Sequence, residues 1–158
     1  MRKTDFSEAA CPIARSLGVV GQWWSLLIVR DAFAGARRFG EFQRSLGCPK
    51  NMLSTRLAGL VEAGVLRTVP ASDGSQYHEY ELTEKGEGLR VVLIALGQWG
   101  AENLFDGGKE WLSAVDKQTG RPVAPLEIRA EDGRLLDPHD VAVRQGNPQV
   151  KPLEGATE

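Results

Sequence analysis

Residues 39–64 read FGEFQRSLGCPKNMLSTRLAGLVEAG. Phe39, Phe42 and Leu46 fall at i, i+3 and i+7, one face of a short helix that Gly47 closes. After Cys48-Pro49, the residues Met52, Leu53, Leu57, Leu60 and Val61 step by fours and threes, the apolar face of a second helix that ends at Ala63-Gly64. Its other side carries Lys50, Asn51, Ser54, Thr55 and Arg56. Two short helices around a tight glycine-containing turn, the second polar at its N-terminal end, predict a helix-turn-helix.

The flanks extend this unit. Cys11-Pro12 opens a helix with Ile13, Ala14 and Leu17 on one side, ending at Gly18 or Gly21, since proline suits a first helical position and glycine an end. Trp23 to Ala34 is apolar on most sides, the mark of a buried helix. On the C-terminal side, Val65, Leu66, Thr68 and Val69 suit a strand, and Pro70–Ser75 is turn chemistry. Tyr77, Glu79 and Glu81 then alternate with His78, Tyr80 and Leu82, a period of two. Thr83 caps a single long helix from Glu84 to about Leu104, striped by Leu89, Val92, Leu93, Leu96 and Trp99. That helix has more apolar surface than so small a domain needs. Helix, helix, helix-turn-helix, hairpin, helix is the order of a winged helix domain. The expected fold is α+β but mainly α: a winged helix-turn-helix over residues 1–104 with a long C-terminal helix, and a small hairpin-containing extension over 105–158.

Within that extension, Gly107-Gly108 reads as a linker. Leu126–Arg129 and Arg134–Leu136 suit strands around an Asp132-Gly133 turn, Asp137-Pro138 a capped helical turn, and Gly146 onward a loose end.

The charge is uneven. The 158 residues carry 19 Lys+Arg against 21 Asp+Glu, a net of −2, and an acidic balance speaks against a nucleic-acid partner. The acid, however, is concentrated after residue 104. In residues 37–67, six cations (Arg37, Arg38, Arg44, Lys50, Arg56, Arg67) face two acids (Glu41, Glu62), a net of +4. No apolar run approaches a membrane span; the longest, Val91–Leu96, is far too short. The start, MRKTDFSEAA, has no apolar stretch behind its cations, so no signal peptide is expected. Cys11 and Cys48 make no disulfide scaffold and no zinc spacing. His78 and His139 lack partners for metal or catalytic work, and no nucleophile triad, nucleotide loop or carboxylate pair stands out. A cytoplasmic, non-enzymatic protein without cofactor or metal is the expectation.

The segments CPIARSLGVVGQWWSLLIVRDAFAG, RRFGEFQRSLG, NMLSTRLAGLVEAGVL and HEYELTEKGEGL, in this order from Cys11 to about Leu104, resemble the HxlR-type winged helix-turn-helix transcriptional regulators, relatives of the MarR regulators. The resemblance implies a homodimer on double-stranded DNA at a palindromic operator; the expected mechanism is occlusion or recruitment at a promoter, with repression the first reading, switched by a small-molecule inducer or an oxidant. It assigns base reading to Lys50, Asn51, Ser54, Thr55 and Arg56, and backbone positioning to Arg37, Arg38 and Arg44. The competing reading is a plain solvated helix face, with Arg56 holding an acidic neighbour. At the hairpin tip, Ser72, Ser75 and Gln76 would meet the backbone, weakly, because the basic residues that many members carry there are missing. Ile13, Leu17, Leu96 and Trp99 are the expected dimer contacts, against simple packing on their own domain. Cys11 stands at a helix start, where the dipole favours the reactive thiolate, and some members use a cysteine at this Cys-Pro position to sense oxidants, quinones or aldehydes. Cys48 is expected to pack. Trp23, Trp24, Trp99 and Trp111 are core or line a ligand pocket. Longer members end in a zinc ribbon; LEIRAEDGRLLDPHDVAVRQGNP has its cadence without any cysteine, so a metal-free hairpin is expected. The rival in another class is a winged helix protein-interaction module that binds no DNA, and a small redox enzyme built on Cys11 is a third.

Overall fold

The computed structural model describes residues 6–105 and 113–143. Eight elements follow in order: α1 (Pro12–Val20), α2 (Trp23–Phe33), α3 (Phe39–Leu46), α4 (Lys50–Glu62), β1 (Leu66–Pro70), β2 (His78–Leu82), α5 (Glu84–Glu87) and α6 (Leu89–Leu104). A 3-10 turn, Pro138–Asp140, follows, with Asp137 accepting from the His139 amide as its cap. The chain separates into two compact units, Met1–Val123 and Ala124–Glu158.

The first unit is built around α4. Leu53, Leu57 and Leu60 are fully buried against Ile28 and Val29 of α2, Phe42 of α3, and Val65 and Leu66 at the entry to the hairpin. Each such side chain contributes roughly 1.5–3 kcal/mol of transfer free energy, so α4 is held by three neighbours on one face and leaves the other free. Gly47 makes the turn between α3 and α4. It adopts the left-handed conformation at φ 62°, and its amide returns to the Gln43 carbonyl at 2.9 Å. Cys48, in the same turn, is buried and packs in the core.

β1 and β2 pair antiparallel, with Leu66 opposite Leu82 and Pro70 opposite His78. Tyr80 and Leu82 turn inward, and Tyr80 meets Phe42 edge to face with ring centroids 6.2 Å apart. Thr83 ties the hairpin to the helix after it. Its hydroxyl donates to the Gly64 carbonyl at 2.6 Å and accepts from the Gly86 amide at 3.1 Å.

The single helix expected after Thr83 is divided at Gly88 into α5 and α6. Within α5, Gly86 sits on the Val65 carbonyl. A Cβ there would lie 2.2 Å from that oxygen, so only glycine lets the two backbones approach. In the extension, the two strands shrink to one bridge, Arg129 with Leu135, closed by hydrogen bonds from Ala130 to Arg134 and from Leu136 to Ile128. Leu126, Ile128 and Leu135 are all exposed, and among the described residues of the extension no apolar side chain is buried to lengthen the ladder. The Gly107-Gly108 linker, Trp111 and the end from Gly146 lie outside the described residues.

Candidate nucleic-acid interface

The buried leucines of α4 fix which side chains face outward. Lys50, Asn51, Ser54 and Thr55 are exposed along the N-terminal half of the helix. Within that face, Asn51 Oδ1 accepts from the Met52 amide at 2.9 Å, and the Thr55 hydroxyl donates to the Asn51 carbonyl at 2.9 Å. Both side chains lie at the surface. Arg56 is half-buried on the flank of the helix, off this face, and holds no acidic neighbour.

Arg37 and Arg38 occupy a different environment from the one the sequence suggests. Arg38 reaches Asp73 Oδ2 at 2.7 Å and Glu79 Oε1 at 3.1 Å. Arg37 pairs with Glu81, which also takes Arg67 at 2.9 Å. Glu79 is buried and accepts in addition from the Ser72 hydroxyl at 2.9 Å and the Ser72 amide at 3.2 Å. Ser75 donates its amide to Asp73 at 3.0 Å, and Gln76 is exposed. The hairpin carboxylates therefore neutralise much of the +4 stretch in space. Only the alternation of Glu79 and Glu81 on one strand face, and the register that sets Arg67 opposite Glu81, carried this in the sequence.

This network shifts its members. Ser72, and then Arg38, hold the Glu79 carboxyl below the usual range, while Arg67 and Arg37 do the same for Glu81. Ser75 and Arg38 depress Asp73 further still. Arg38 in turn is raised by Asp73 and Glu79. Glu41 is lowered because its Oε2 accepts from the amides of Arg37 and Arg38, at 2.7 and 2.9 Å, which fixes the entry to α3. Arg44 lies on the exposed side of α3 and donates to the Gly40 carbonyl.

The remaining sequence candidates sit elsewhere. Cys11 is exposed as the N-cap residue of α1, with no side-chain capping bond. Ile13 and Leu17 on α1, and Leu96 and Trp99 on α6, are 49–70% exposed, and α6 has no buried residue at all. Leu89 and Leu93 alone of its stripe pack on the core with Trp24, while Trp23 is open to solvent. Among the described residues, no three His, Cys, Asp or Glu side chains group as a metal site, and no helix is long and apolar enough to cross a membrane.

Helices, hairpin and the outward polar face of α4 define a winged helix-turn-helix protein. The HxlR-like helix-turn-helix family model matches residues 19–107, more than half of the chain, and the chain belongs to that family. It is similar to an uncharacterized HTH-type transcriptional regulator of Mycobacterium tuberculosis, Rv3095, at 49% identity over 92 residues, which are 58% of this chain and 58% of that protein. The chain thus matches less than two thirds of that relative's length. Among solved structures, PA1607, a candidate transcription factor, is similar with a TM-score of 0.85 at 48% identity, over 90% of this chain and 100% of the other. That likeness runs past Leu104 into the extension. The redox regulator HypR in its reduced form is similar with a TM-score of 0.54 at 28% identity, over 59% of this chain and 93% of its own.

Proposed function

We propose that the chain is a cytoplasmic transcriptional regulator that binds double-stranded DNA as a homodimer and represses by occluding a palindromic operator. The observation that carries this is the outward polar row of α4, Lys50, Asn51, Ser54 and Thr55, held rigid by three buried leucines behind it. A helix about 10–12 Å wide fits the major groove, where asparagine pairs with adenine and lysine with guanine. A two-fold pair would set two such helices about 34–36 Å apart, one turn of DNA. The relatives named as transcriptional regulators support the same reading.

Selection from a random duplex pool tests it. A recovered palindrome whose binding weakens steeply with salt is the expected result. No enriched sequence and no salt-dependent affinity would leave the protein-interaction module instead.

The switch we propose is oxidation of Cys11 or binding of a small-molecule inducer. Cys11 is exposed at the start of a helix, and a redox regulator is among the structural neighbours. A Cys11→Ser protein is expected to hold its operator under peroxide or quinone that releases the wild type. Equal release from both would remove Cys11 from the mechanism.

A further inference from the structure

From Arg15 to Arg90, every arginine but one has a partner inside the fold. Arg30, Arg37, Arg38, Arg67 and Arg90 pair with carboxylates, and Arg15 and Arg44 with backbone carbonyls. Arg56 is the exception. It makes no hydrogen bond or ion pair with any described residue, and its Nε is shut off from solvent with nothing to donate to. Its side chain lines a pocket of about 230 Å³ beside α4, with Gln22 and Ser25 from the start of α2 on one wall and Thr55, Gly59 and Glu62 on the other. Glu62 shares the pocket but forms no ion pair with Arg56.

Buried donors in folded proteins are matched, and a guanidinium has donors and no acceptor, so the partner it suits is an acceptor with negative charge. The planar fork suits an oxyanion, which can take two parallel hydrogen bonds.

Position narrows the source. Thr55 belongs both to this pocket and to the exposed row with Lys50, Asn51 and Ser54. A helix of about 10–12 Å nearly fills a groove about 12 Å wide, so the DNA backbones run along its flanks. Arg56 is a flank residue. We propose that this pocket is a phosphate site that clamps the DNA backbone beside α4, with Arg56 as its charged donor and not as a base reader. The proposal rests on the DNA-binding reading above. Inorganic phosphate offers the same chemistry, and the two sources are separable.

The test uses the full chain, a mixed-sequence duplex and the selected operator, with affinity followed against KCl. Arg56→Gln is expected to lower the slope of log affinity against log salt by about one unit, alike for both DNAs, and Arg56→Lys to keep it. Gly59→Glu guards against a misfolded variant. A Cβ at Gly59 meets nothing within 4 Å, and a glutamate three residues from Arg56 can pair with it in cis. The same loss of slope is expected there, in a protein that melts no lower than wild type. Unchanged slopes in Arg56→Gln and Gly59→Glu overturn the clamp. A loss confined to the operator, with a new preference at one base, also overturns it in favour of base reading.

Thermal melts in sodium phosphate against sodium chloride of equal ionic strength give the second arm. Stabilisation by phosphate that Arg56→Gln abolishes, beside unchanged DNA slopes, assigns the pocket to a free anion and overturns the DNA clamp. If wild type itself shows no salt-dependent DNA affinity, the DNA reading has failed, and the melts alone decide the pocket. Phosphate stabilisation lost in Arg56→Gln upholds an oxyanion site, and none in wild type removes it.

Discussion

The guanidinium of Arg38 stands 3.1 Å from the carboxylate of Glu79, which the fold buries to 2% exposure. This pair joins the entry of α3 to the second strand of the hairpin, and Ser72 and Asp73 complete it from the hairpin tip. The hairpin is thus fastened to the helix-turn-helix by charge as well as by Tyr80 on Phe42.

Fastening by carboxylates has a pH signature. Glu79, Glu81, Glu41 and Asp73 all lie below their ordinary values in the folded protein. A lowered folded value means that the stabilisation is fully present above the unfolded value, 4.5 for glutamate, and is lost as pH falls through the folded one. The midpoint of urea unfolding is therefore expected to hold from pH 7 to about 5 and to fall steadily below about pH 4.5. Arg38→Gln removes one source of the depression, so its midpoint starts lower at pH 7 and falls less on acidification. Parallel curves for the two proteins would show that Arg38 does not set these carboxylates.

Most of the fold was legible because it rests on local rules. Pro12 at a first helical turn, Gly47 at a helix end and the leucine steps of α4 each encode a boundary or a face within a few residues. The row Lys50, Asn51, Ser54 and Thr55 was legible for the same reason, being the complement of that apolar face. The carboxylate partners of Arg37 and Arg38 were not legible, because they lie some forty residues away, and a sum of charges along the chain cannot see a carboxylate folded onto it. The half-burial of Arg56 was not legible either: helical phase puts it near the polar face, and its exposure depends on what packs beside α4. The need for glycine at position 86 likewise depends on where the Val65 carbonyl lies.

Two glycines give opposite predictions from one substitution. Gly86→Ala would press a Cβ onto the Val65 carbonyl at 2.2 Å and onto Leu82 Cδ2 at 2.9 Å. Backbone cannot retreat cheaply, so a loss of about 3 kcal/mol is expected in denaturant unfolding. Gly59→Ala meets open space in a helix interior, and a gain approaching 1 kcal/mol is expected. A neutral Gly86→Ala would mean that α5 does not press on the Val65 carbonyl as described.

The reading row separates affinity from specificity. Lys50→Ala is expected to weaken binding to all duplexes alike and to lower the salt slope by about 0.9. Asn51→Ala is expected to leave the slope intact and to relax preference at one base pair by about 1–3 kcal/mol, measured against single-base operator variants. Asn51 Oδ1 accepts from the Met52 amide and keeps a second lone pair for adenine N6, with Nδ2 free to donate to N7. An Asn51→Ala protein with unaltered preference at every position would take Asn51 out of base reading.

The apolar face of α6 sets the last prediction. Leu96 is 49% and Trp99 56% exposed, and on α1 Ile13 and Leu17 are more open than either Leu89 or Leu93, which pack inward. Burial of such side chains against a second copy removes apolar area from water, whereas a glutamate in their place stays solvated in a monomer and is desolvated in a dimer. Light scattering at micromolar concentration is expected to give twice the 17.2 kDa chain mass for wild type and a shift toward the single-chain mass for Trp99→Glu and Leu96→Glu. Both variants should keep their helical circular dichroism, because neither side chain belongs to the core of its own fold. Operator affinity should fall far more than affinity for a half-site, since only the dimer spans both halves. A wild-type mass of 17.2 kDa, or variants that remain paired, would move the dimer contact away from α6.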